Sequence, residues 1–93
     1  MIYAIAQLTI TNADSMAKYR EVAGDALAKH GGKVEAASGA FTVLDGNPSL
    51  PNAAALLSFP DKDAALGWAN DPDLADVHAL RRNAGSSDIL LLG

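Results

Sequence analysis

Ninety-three residues, 49% apolar and 19% charged, make one globular domain spanning residues 1–93 and exclude a disordered chain. The net charge of −4, with seven Lys and Arg against eleven Asp and Glu, argues against nucleic acid as a partner, because phosphates need a basic face. The absence of cysteine excludes disulfides and thiolate chemistry, and no apolar run approaches the ~20 residues of a membrane span, so a soluble cytoplasmic protein is expected.

Ile2 to Ile10 reads as a first strand, with Ile2, Ala4, Ala6, Leu8 and Ile10 at even positions and Tyr3, Ile5, Gln7 and Thr9 at odd ones. Asn12 is suited to cap a helix, with Asp14 in its first turn. That helix is expected to run to about His30, carrying Met16, Tyr19, Ala23, Ala26, Leu27 and His30 on one stripe. Gly31-Gly32 stops it, since glycine accepts the left-handed conformation that closes a helix.

Lys33 to Asp45 reads as one long second strand with a bulge near Ser38-Gly39; two short strands meeting there in a hairpin is the alternative. Residues 46–52 are a loop dense in turn formers. Ala53 to Phe59 is the third strand. Pro60-Asp61 opens a second helix containing Ala64, Ala65 and Trp68, and Asp71-Pro72 restarts it after a break near Asn70, with Asp71 as N-cap and Pro72 at the first helical position. Gly85-Ser86-Ser87 is expected to stop this helix near Asn83, leaving Asp88 to Leu92 as the last strand.

The order is β-α-β-β-α-β: an α+β, ferredoxin-like fold whose helices cover one face of a four-stranded antiparallel sheet. A sheet with one wet face should show a polar residue at every second position. The first and third strands do not, being interrupted only by Gln7, Thr9 and Ser58. A homodimer packed through the open sheet faces is the expected cover.

Tyr3-Ala4-Ile5-Ala6-Gln7, Tyr19-Arg20, Lys29-His30-Gly31-Gly32-Lys33, Val43-Leu44-Asp45-Gly46, Phe59-Pro60, Trp68 and Ala79-Leu80-Arg81 form an ordered pattern across the whole chain. In these stretches the chain resembles the bacterial domain-of-unknown-function family thirteen-thirty, within the dimeric α+β barrel superfamily. The resemblance implies a ferredoxin-like fold and a dimer, and no particular reaction. Superfamily relatives include cofactor-free oxygenases, lactone isomerases, haem enzymes and ligand-sensing domains, so fold alone does not choose among them. The chain departs from the family pattern at Ala37-Ser38, where an arginine is common, and at Leu74-Ala75-Asp76, where an aromatic is usual.

Candidate ligand-binding residues are Tyr3, Tyr19, His30, Trp68 and Arg81. His30 is also the candidate general base, against a reading in which it simply favours a helix C-terminus. Arg81 falls within the buried stripe of the second helix and needs a partner, either a ligand carboxylate or an acid such as Asp88 or Asp45. Helix directions place His30 near Ala64 to Trp68 and Arg81 near Met16 and Tyr19, which separates the two. His78 is assigned to the flank of its helix, as surface or interface, and Arg82 to solvent. The two histidines lack convergent carboxylates, and no glycine-rich loop opens a helix, so neither a metal site nor a cofactor is expected. The functional expectation is a dimer binding a small organic metabolite between helices and sheet. A cofactor-free monooxygenase- or isomerase-like enzyme and a ligand-free accessory dimer are the alternatives.

Overall fold

Alternation along the first strand sets the architecture. In the computed structural model, which describes residues 1–93, β1 (Ile2–Ile10) buries Ala4, Ala6 and Leu8 while Tyr3, Gln7 and Thr9 are exposed. The remaining elements follow as α1 (Ala13–Ala28), β2 (Lys33–Ser38), β3 (Ala53–Phe59), α2 (Lys62–Asn70), a 3-10 turn (Pro72–Leu74), α3 (Ala75–Asn83) and β4 (Gly85–Leu92). The strands form one four-stranded antiparallel sheet in the order β2-β3-β1-β4, the ferredoxin-like arrangement. The molecule is 16 Å thick along its shortest axis, the depth of two layers.

Local chemistry explains the helix ends. Asn12 takes an extended conformation and its side chain accepts from the Ser15 amide, satisfying one of the first-turn donors. Helix α1 closes where the Gly32 amide donates to the Leu27 carbonyl at 2.8 Å. Gly31 adopts φ +73°, and a Cβ there would stand 2.8 Å from the Pro60 ring, so both conformation and space select glycine. Asp61 caps α2 through the Ala64 amide, and Asp71 caps the 3-10 turn through the Asp73 amide, with Pro72 directly after it. The break expected near Asn70 is therefore this capped turn between two separate helices.

Three expectations are corrected. The second strand ends at Ser38, and residues 39–52 belong to neither helix nor strand, because the β2–β3 ladder ends at the Ser38–Ala54 pair. The bulge lies at Glu35, where the register against β3 shifts between Val34 and Ala36, and not at Ser38-Gly39. The last strand begins at Gly85 instead of Asp88, since the nine-residue β1 offers partners as far as Ile10, and Ser86 and Ser87 pair with Thr9 and Leu8.

The core lies between the sheet and the helices, where Ala4, Ala6, Leu8, Leu57 and Phe59 meet Met16, Ala26, Leu27, Ala65, Trp68 and Leu74. Phe59 and Trp68 pack as a tilted aromatic pair with centroids 5.6 Å apart. On the opposite side the sheet is open. There Leu90, Ile5, Leu56 and Ala36 form one continuous apolar row across all four strands, next to a row of Leu92, Tyr3, Ser58 and Lys33. Leu90 is 65% exposed and Leu92 53%. Ser58 is buried even on this face, its hydroxyl satisfied by donating to Glu35 Oε1 at 2.7 Å, and that hydrogen bond holds the Glu35 carboxyl below its ordinary range.

Candidate functional site

Leu74, at the end of the 3-10 turn, and His78 and Arg81 of helix α3 follow at intervals of four and three residues and share one face turned toward the sheet. All three are buried, with Arg81 at 6% exposure and His78 at 3%. His78 is thus an interior residue, not the flank residue the sequence suggested. The spacing that marks Arg81 as inward-facing also marks His78, once Leu74 is taken as the phase.

The environment of Arg81 is unusual for a buried cation. Its Nη1 donates to His78 Nδ1 at 2.8 Å and its Nε to the Ser87 hydroxyl oxygen at 3.1 Å. The guanidinium carbon lies 5.7 Å from the centroid of the Tyr19 ring and 5.5 Å from that of Trp68, within cation–π range. No carboxylate pairs with it. The expected protein partners are elsewhere: Asp88 alternates with the inward-facing Ser87 and Ile89 and so points to the open face opposite Gln7, and Asp45 belongs to the 39–52 segment.

Accepting from Arg81 at Nδ1 fixes the tautomer of His78, so its Nε2–H donates to the Trp68 carbonyl at 2.9 Å. Desolvation holds the pKa of His78 below its ordinary 6.5, and the charges of Arg81 and Arg82 push it the same way. Its ring meets Trp68 edge-on, with centroids 4.8 Å apart. The Trp68 indole nitrogen is buried and has no hydrogen-bond partner.

These side chains border a cavity of about 360 Å³ between α2, α3 and the sheet. Phe59, Trp68, Ile89 and Leu91 supply apolar wall, and His78, Arg81, Arg82 and Ser87 supply polar groups. A second, more apolar cavity of about 480 Å³ lies under α1, with Tyr19, Leu27, Val34 and Ala37 among its walls. Arg81 and Ile89 border both, so Arg81 stands at the junction.

Of the five residues nominated by sequence, Tyr19, Trp68 and Arg81 come together here. Tyr3 does not, because its odd position in β1 turns it to the open sheet face. His30 borders none of the cavities. Its Nε2 lies 2.8 Å from Asp71 Oδ2, which also meets Lys29 Nζ at 2.7 Å, and its ring rests against Gly67. Lys29 first, then His30 and the Asp73 amide, hold the Asp71 carboxyl far below the usual carboxylate range. This cluster ties the end of α1 to the turn between α2 and α3, as the expected separation of His30 from Arg81 implies. His78 and Ser87 are the members of the Arg81 site that sequence reasoning passed over. By sequence Ser87 belongs to a helix stop, and only its pairing with Leu8 sets it on the inward face. No three His, Cys, Asp or Glu side chains converge as a metal-binding group, and no helix is long and apolar enough to cross a membrane.

A solved structure of similar fold is a protein of unknown function, RPA0582, from Rhodopseudomonas palustris, with a TM-score of 0.77 at 18% identity over 98% of this chain and 79% of that one. At that identity the likeness establishes the fold alone. No curated protein matches the sequence. The match that bears on kinship spans the whole molecule: residues 1–93 fit the family described as Domain of unknown function (DUF1330), and the chain belongs to that family.

Proposed function

We propose that this protein is a homodimer, joined through its open sheet face, that binds a small organic metabolite between its helices and its sheet. The observation that carries the binding reading is Arg81: a buried guanidinium without a carboxylate partner, beside a cavity of about 360 Å³. That volume falls within the range of small-molecule sites, and a mostly apolar wall with a few polar groups is their usual composition. The dimer reading rests on the apolar row of Leu90, Ile5, Leu56 and Ala36, a patch that a symmetric copy can cover. A cysteine-free sequence is in keeping with action in a reducing cytoplasm.

Binding is favoured over catalysis by the state of the groups at hand. Both nitrogens of His78 are engaged, and no carboxylate borders either of the two interior cavities, so neither supplies a ready general base. Trp68, the single tryptophan, serves as a built-in reporter. A thermal-shift screen of neutral, cationic and anionic metabolites should raise Tm for at least one class, accompanied by a change in Trp68 fluorescence and no product. A screen that leaves both signals unmoved contradicts metabolite binding, and product formation replaces it with the enzyme reading. Sedimentation at micromolar concentration should give twice the chain mass.

A further inference from the structure

Hydrogen-bond donors and acceptors around Arg81 do not balance. The Nδ1 acceptor of His78 is taken by Arg81 Nη1, the Trp68 carbonyl receives His78 Nε2–H, and the Ser87 oxygen accepts from Arg81 Nε. Three donor groups have no acceptor within the protein: the second terminal nitrogen of Arg81 and the Ser87 hydroxyl, on residues that line the cavity, and the Trp68 indole N–H, which alone of the three is fully buried. Arg81 and Ser87 border the same cavity as Trp68, and none of the residues around it is acidic. An unpaired buried cation is costly, and a group that only accepts hydrogen bonds and carries negative charge removes that cost.

Resting on the metabolite-binding reading above, we propose that the ligand is a small monocarboxylate with an apolar body. Its carboxylate lies on Arg81 and the Ser87 hydroxyl, and its body lies against Phe59, Trp68, Ile89 and Leu91. Of the two arginines that border the cavity only Arg81 is buried, Arg82 being exposed to solvent, so one desolvated guanidinium matches one carboxylate, and its planar fork suits two oxygens in a plane. Eight of the twelve residues around the cavity are hydrophobic, which suits an apolar body and not a second charged group.

The test is a matched series read by thermal shift and by Trp68 fluorescence at constant ionic strength: benzoate, phenylacetate and hexanoate, the corresponding amides, and inorganic phosphate. The acids should bind saturably, with each amide at least about tenfold weaker, the scale of one charge-assisted hydrogen bond. Arg81→Gln should bring acid affinity down to that of the amide, and Ser87→Ala should weaken the acids while sparing the amides. If Arg81→Gln does not fold, the acid-to-amide ratio of the parent protein and the Ser87→Ala variant decide the matter. Equal affinity for acids and amides overturns the monocarboxylate assignment and leaves the cavity a small-molecule site. Phosphate binding as tightly as the acids also overturns it, since the apolar body then contributes nothing. Failure of the whole series to bind overturns the assignment, whereas the broader reading falls only if the full metabolite screen is silent as well.

Discussion

The imidazole of His78 sits between a guanidinium and a backbone carbonyl, an arrangement that only its neutral form satisfies. Burial, with help from Arg81 and Arg82, lowers its pKa in the folded protein below 6.5. The unfolded chain then binds more protons than the folded one once the pH falls below that value. Stability from this group is complete above pH 6.5 and declines as the pH drops toward the lowered value. Replacing His78 by Gln keeps one acceptor for Arg81 and one donor for the Trp68 carbonyl but removes the titration. Urea denaturation at about pH 7 and about pH 5 should show a loss of stability on acidification for the parent protein and a smaller loss for His78→Gln. Equal losses in the two proteins would remove His78 as the source.

Two single side chains govern how whole elements join. Asn52, just ahead of β3, accepts from the Ile10 amide at 2.7 Å and donates to the Ile10 carbonyl at 3.1 Å, adding a side-chain rung to the end of the β1–β3 ladder. Asn52→Ala should cost about 1–2 kcal/mol, two modest hydrogen bonds, measured by chemical denaturation. Asp71 caps the 3-10 turn and holds Lys29 and His30 from the end of α1. Its pKa is depressed, so its contribution is present above the ordinary 3.8 and is lost as the pH falls through the lower folded value. Asp71→Asn can retain the cap while losing the charge, so it should melt below the parent protein at neutral pH, with a gap that narrows below pH 3.8. A gap of constant width across that range would rule out the carboxylate charge as its source.

At the scale of the molecule, a flat two-layer body leaves one apolar sheet face uncovered. Leu90 lies on that face and is 65% exposed. Leu90→Lys should therefore change the stability of the single chain by no more than about 0.5 kcal/mol, as for surface positions generally. It should nevertheless shift the sedimenting species from dimer to monomer, because it would place two charges in the proposed interface. A parent protein that sediments as a monomer would contradict the proposed dimer before the variant is made.

The sequence by itself determined those features whose causes are local. Asn12 and Asp71 as caps, Pro60-Asp61 as a helix start, Gly31-Gly32 as a stop and the break at Asp71-Pro72 each depend on a few adjacent residues, so their chemistry was readable in place. The stripe on α1 likewise told which face of that helix turns inward, and the turn formers between elements marked out the β-α-β-β-α-β order. Tertiary structure alone decided where β2 ends and β4 begins, because a strand extends only as far as its neighbour offers partners. It also decided the site. The partners of Arg81 come from α1, α2, α3 and β4, and those of His30 from residues about forty positions away. Periodicity can turn a side chain inward, but it carries no information on what another element places opposite. That is why Arg81 was legible as a buried cation, while its lack of a carboxylate, and the donors it shares with Trp68 and Ser87, were not.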